Sequence, residues 1–71
     1  MTLTNAKGKD VELPPYVMKC LDQFGNTVIS EKLFKKFKDR DDLIRAFREW
    51  NIDVWVRRSK LSDHCIIVEM L

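Results

Sequence analysis

The chain has one histidine, two cysteines, two glycines and two prolines, and each scarcity removes a class of protein. One histidine provides no metal-ligand spacing and no second base. There is no Cys-x-x-Cys and no glycine-rich phosphate loop. His64 and Cys65 are neighbours, and neighbours on a strand point to opposite faces, which defeats a cysteine–histidine nucleophile pair. No catalysis, metal, cofactor or small-molecule substrate is expected. Two thiols permit at most one bridge, fewer than small secreted scaffolds use. Cys20 and Cys65 both sit among apolar residues and read as buried small hydrophobes, with a disulfide between them as the alternative. So few glycines and prolines exclude collagen-like and linker-like chains. The longest apolar run, Cys65-Ile66-Ile67-Val68, falls far short of the roughly 20 residues that span a bilayer. The first residues lack a charged-then-apolar export signal, so a cytoplasmic protein without membrane contact is expected.

What is present fits one small folded domain. Of the 71 residues, 45% are hydrophobic and 34% charged, too apolar a mixture for intrinsic disorder. Net charge is +2, but it is unevenly spread. Residues 31–60 hold ten basic side chains against six acidic ones, while residues 1–30 cancel and residues 61–71 add Asp63 and Glu69. A basic centre between neutral and acidic flanks is a candidate electrostatic footprint.

Thr2-Leu3-Thr4 and Val11-Glu12-Leu13 alternate polar and apolar around Gly8, predicting an N-terminal hairpin over residues 1–13. Pro14-Pro15 suits the first turn of a helix, Val17, Leu21 and Phe24 supply its stripe, and Gly25 stops it. The first helix is thus placed at Pro15–Phe24. Thr27-Val28-Ile29 is β-branched and predicts a short strand. Ser30 caps a second helix, about Glu31–Lys38, with Leu33, Phe34 and Phe37 inward and Lys32, Lys35, Lys36 and Lys38 outward. Asp39 or Asp41 caps a third, about Asp41–Trp50, striped by Leu43, Ala46, Phe47 and Trp50. The period then falls to two at Ile52, Val54 and Val56, and His64–Val68 is again β-rich, predicting a C-terminal hairpin.

This order, with Ser30-Glu31-Lys32-Leu33-Phe34-Lys35-Lys36-Phe37 followed by Asp42-Leu43-Ile44-Arg45-Ala46-Phe47, resembles the winged helix-turn-helix superfamily over roughly residues 15–70. The resemblance implies an α+β body spanning 14–71: three helices on a small antiparallel sheet, with the C-terminal hairpin as the wing. Two features depart from that pattern. Lys38-Asp39-Arg40 lacks the usual small residue in the turn, and the third helix opens with acidic residues.

A winged helix implies a small non-catalytic regulator that binds nucleic acid, duplex DNA first among the candidates. The third helix would then enter the major groove and the wing would touch the backbone. Arg45 and Arg48 would read bases, because arginine reaches guanine with two hydrogen bonds. Lys32, Lys35, Lys36, Arg57, Arg58 and Lys60 would contact phosphates. Asp39, Asp41 and Asp42 oppose that geometry and read more simply as caps and helix-dipole partners. The alternative is a protein-interaction module, an adaptor or inhibitor of a larger machine, meeting its partner through the third helix, Ile44 and Trp55. Trp55, opposite in phase to Val54 and Val56, either stacks on a partner or covers the sheet's second face. Trp50, in phase with Phe47 and Leu43, is expected in the core.

Overall fold

The computed structural model describes residues 1–62 and 64–71. Asp63, counted above among the acidic residues, lies outside the described residues. Strands β1 (Thr2–Thr4) and β2 (Asp10–Glu12) pair antiparallel, with Leu3 opposite Val11. Gly8, at φ 80°, takes the left-handed turn position that side chains resist. Helix α1 spans Pro15–Phe24 and ends at Gly25, whose φ of 75° is a left-handed cap and whose N–H donates to Leu21 C=O. Then follow β3 (Asn26–Ser30), α2 (Glu31–Phe34), α3 (Arg40–Arg48), β4 (Val54–Arg58) and β5 (Cys65–Met70). The second sheet has the order β3-β5-β4, antiparallel throughout, so the strand after α1 joins the C-terminal hairpin.

One core serves the whole chain. Leu3, Val11 and Leu13 of the N-terminal hairpin are buried with Val17 and Leu21 of α1, Leu43, Ala46 and Phe47 of α3, and the inward residues of the larger sheet. The hairpin is therefore part of the body and not an appendage to it. Among the described residues the result is an α+β domain of three helices and two small antiparallel sheets. No helix among the described residues is long and apolar enough to cross a membrane.

Several expectations are corrected. Helix α2 stops at Phe34 instead of reaching Lys38. Ser30 does cap it, its Oγ accepting from Leu33 N–H at 3.1 Å. Beyond Phe34 the chain tightens: Lys36 N–H donates to Leu33 C=O and Phe37 N–H to Phe34 C=O, three residues back. Lys38 N–H leaves the helical ladder for Asp42 Oδ2 at 2.9 Å, and the Lys36 carbonyl accepts from Asn5 Nδ2 at 2.8 Å. Tertiary bonds replace helical ones, and Phe37 still reaches the core.

Helix α3 starts one residue earlier than expected and ends two earlier, with Asp39 as its cap, Oδ1 accepting from Asp42 N–H at 2.9 Å. Trp50 thus falls beyond the helix end and is 55% exposed, not core; its indole N–H reaches Thr2 C=O at 3.2 Å. Asn51 carries the left-handed turn, φ 61°, as its position suggested. Phe24 is also outside the core, 68% exposed at the last position of α1. Both aromatics sit at helix ends, where the apolar stripe no longer has a neighbour to face. Ile44 is half-buried and packs against the core, which leaves it little surface to offer. Cys20 and Cys65 are half-buried free thiols.

Candidate nucleic-acid interface

The tip of the N-terminal hairpin is a built structure. Asn5 Oδ1 accepts from Lys7 N–H and Lys9 N–H, both at 3.0 Å, and Asn5 N–H donates to Lys9 C=O at 2.9 Å. The same side chain donates to the Lys36 carbonyl, so one buried asparagine both closes the turn and docks it on the chain between α2 and α3. Asp42 makes the second rivet. Its side chain is 3% exposed; Oδ2 accepts from Ala6 N–H at 3.1 Å and Lys38 N–H at 2.9 Å, and Oδ1 accepts from Arg45 at 2.8 Å. Burial pushes this carboxyl's pKa up, but the Lys38 and Ala6 amides and Arg45 together outweigh burial and hold it below the usual aspartate value.

These two rivets bring distant lysines together. Lys7 and Lys9 of the hairpin tip and Lys35, Lys36 and Lys38 beyond α2 line one open depression of about 600 Å³. Its carboxylates are Asp42, already held by Arg45, and Asp10, which accepts from Thr4 Oγ1 at 3.0 Å. Among the described residues no lysine forms an ion pair, whereas each arginine does. Among the described residues, the side-chain cations without an internal ion pair are therefore lysines, and five of them are gathered here.

The residues singled out from sequence divide accordingly. Lys35 and Lys36 line the depression; Lys32 and Lys60 are exposed but outside it. Arg45, expected to face bases, instead bonds Asp42, Glu49 (2.6 Å) and the Thr4 carbonyl (3.0 Å), and the Asp42 and Glu49 carboxylates raise its pKa. Arg48 pairs with Asp53 at 3.4 Å, Arg57 with Glu69 at 2.9 Å, and Arg58 with Glu31 at 3.1 Å while lying over the Phe34 ring. Trp55 is 42% exposed on the outward side of β4, its ring under the Arg40 guanidinium at 4.6 Å. Asp39, Asp41 and Asp42 take three different parts: cap, surface partner of Arg40 at 3.8 Å, and buried rivet.

Lys7, Lys9 and Lys38 were not marked as site residues by sequence reasoning. The signal available was Lys7-Gly8-Lys9, a pair of cations flanking a turn glycine, but nothing local says where that turn docks. Among the described residues no group of three histidine, cysteine or carboxylate side chains is placed to hold a metal ion. No family model matches the chain, and neither does any curated protein or solved structure.

Proposed function

We propose that this chain is a small non-catalytic protein that binds nucleic acid through its phosphate backbone, with duplex DNA as the reference ligand. One observation carries the reading: five lysines free of ion pairs among the described residues line a single depression, while the arginines are engaged within the protein. Lysine is a flexible point charge suited to phosphates, and arginine's planar fork is the better reader of base edges. With Arg45 held by Asp42, binding is expected to depend more on charge than on sequence. The succession of helix, strand, two helices and hairpin, with β3 beside β5, supports a winged-helix reading of the body. It would, however, place the main contacts on the α2–α3 connection and the N-terminal hairpin instead of on helix α3.

Counterion release supplies the test. Each phosphate contact contributes about −0.9 to the slope of log affinity against log salt on duplex DNA. Fluorescence anisotropy should show the combined change Lys35→Gln, Lys36→Gln and Lys38→Gln flattening that slope by roughly 2 to 3. Lys7→Gln with Lys9→Gln should remove a further ~2. Slopes unchanged in both variants would reduce the lysines to solvated surface. A second reading, protein binding near Trp55, has one observation in its favour: a large aromatic left 42% exposed.

A further inference from the structure

The lining of the lysine depression limits what it can hold. Its walls are the hairpin tip, with Lys7 and Lys9, and the connection after α2, with Lys35, Lys36 and Lys38. The backbone amides of both walls are already committed. Ala6 and Lys38 N–H donate to Asp42, Lys7 and Lys9 N–H to Asn5 Oδ1, and Gly8 N–H to Asn5 C=O. Lys35, Lys36 and Phe37 N–H donate to the carbonyls of Glu31, Leu33 and Phe34. The one aromatic of the lining, Phe37, is 4% exposed and presents no ring on which a base could stack. An external anion is therefore met by five exposed lysine side chains. An ammonium is a compact point charge without arginine's planar fork, so such a set reads the density of negative charge and not the shape of a base or sugar.

The lining also says how dense that charge should be. Asp42 is answered by Arg45 and Asp10 offsets one lysine, which leaves an excess of about four positive charges. A hollow of about 600 Å³ is roughly 8–9 Å across, and one strand of duplex DNA advances ~3.4 Å per phosphate, so a passing strand sets at most about three single charges in it. A terminal triphosphate carries close to four, because its last phosphate holds about −1.5 to −2 at pH 7. Its phosphates share bridging oxygens with no sugar between them, so one hollow can take the whole run. We propose that the depression takes the 5′-triphosphate end of a nucleic acid chain, held between the hairpin tip and the α2–α3 connection. This rests on the reading of these lysines as phosphate ligands and names which phosphates they take. The tertiary structure supports it in a second way. Asn5 bonds across 31 residues of chain to the Lys36 carbonyl, so the fold gathers two sets of like charges whose repulsion a compact polyanion relieves.

The test is fluorescence anisotropy with two short blunt DNA duplexes of one sequence, bearing 5′-triphosphate or 5′-hydroxyl ends, at one salt concentration. The triphosphate form should bind at least about tenfold more tightly. Inorganic triphosphate should displace it at lower concentration than orthophosphate of equal ionic strength, and should raise the unfolding midpoint of the free protein. Lys36→Gln, and separately Lys7→Gln with Lys9→Gln, should bring the ratio of the two affinities down toward one. Lys19→Gln removes the same charge as Lys36→Gln from the exposed side of α1 and should leave the ratio unchanged. Unfolding midpoints of each variant check that the fold is intact. Equal affinities for the two ends would overturn the proposal. A 5′-hydroxyl duplex that still bound with the lysine-dependent salt slope would then leave the proposed function standing, whereas no binding of either duplex would overturn both. An end preference that survived in both lysine variants would also overturn it, since the triphosphate would then sit elsewhere on the protein.

Discussion

Asp42 is the residue whose removal should be felt furthest. Its carboxylate is almost wholly buried and serves three donors from three places: Ala6 of the hairpin tip, Lys38 before α3, and Arg45 within it. Asp42→Ala leaves two backbone amides and a guanidinium without their acceptor. A buried donor stranded this way costs about 1–3 kcal/mol. Arg45 is partly exposed and water takes over some of its share, so a total near 2–4 kcal/mol is expected. For a domain of this size each kcal/mol moves the midpoint by about 4–8 °C, giving a drop of roughly 8–32 °C. Asp42→Asn keeps one oxygen but turns an N–H₂ toward a donor, and should cost about half as much. The pH dependence follows from the lowered pKa. A carboxyl more acidic in the folded than in the unfolded chain contributes its stability in full above its ordinary value of 3.8 and loses it as pH falls through the folded value. Thermal unfolding from pH 7 down to pH 2 should therefore show a steeper acid limb in the wild type than in Asp42→Asn. Parallel limbs, or an Asp42→Ala loss under ~1 kcal/mol, would refute the idea that this side chain rivets the hairpin to the body.

Three further outcomes are expected. Thr27 is buried on the inner face of β3 and its hydroxyl has no partner among the described residues, so the isosteric Thr27→Val should raise stability by about 1 kcal/mol in urea unfolding. Leu3 is fully buried in the shared core, and Leu3→Ala should cost ~3 kcal/mol; a loss under about 1 kcal/mol would make the hairpin an accessory after all. Trp50→Ala should lower stability by only ~1 kcal/mol, the indole being half exposed with one bond to the Thr2 carbonyl, where a core tryptophan would cost about 3–5.

Local chemistry made much of the fold readable. Pro15 and Gly25 bound α1 because one lacks an N–H that the first turn does not use and the other accepts a positive φ; Ser30 and Asp39 cap because their oxygens reach the exposed N–H groups three residues on. The change of period at Ile52 marks where helix gives way to ribbon, since only one spacing places apolar groups on one face of each. Where the readings failed, the deciding partner lay far along the chain. Nothing near Phe34 says that α2 ends there, because the bonds that end it come from Asn5 and Asp42. Trp50 has core spacing, but the helix that would aim it inward stops at Arg48. The basic character of the middle of the chain was visible as a sum, but its division was not. Arginines found carboxylates through β5, α2 and the α3–β4 connection, while Lys7 and Lys9 met Lys35, Lys36 and Lys38 only because the hairpin folds onto the body. Charge and periodicity are properties of a chain read in order. Which charges remain unpaired depends on what stands next to them in space, and only the packing of one core brings residues 5 and 36, or 6 and 42, into bonding distance.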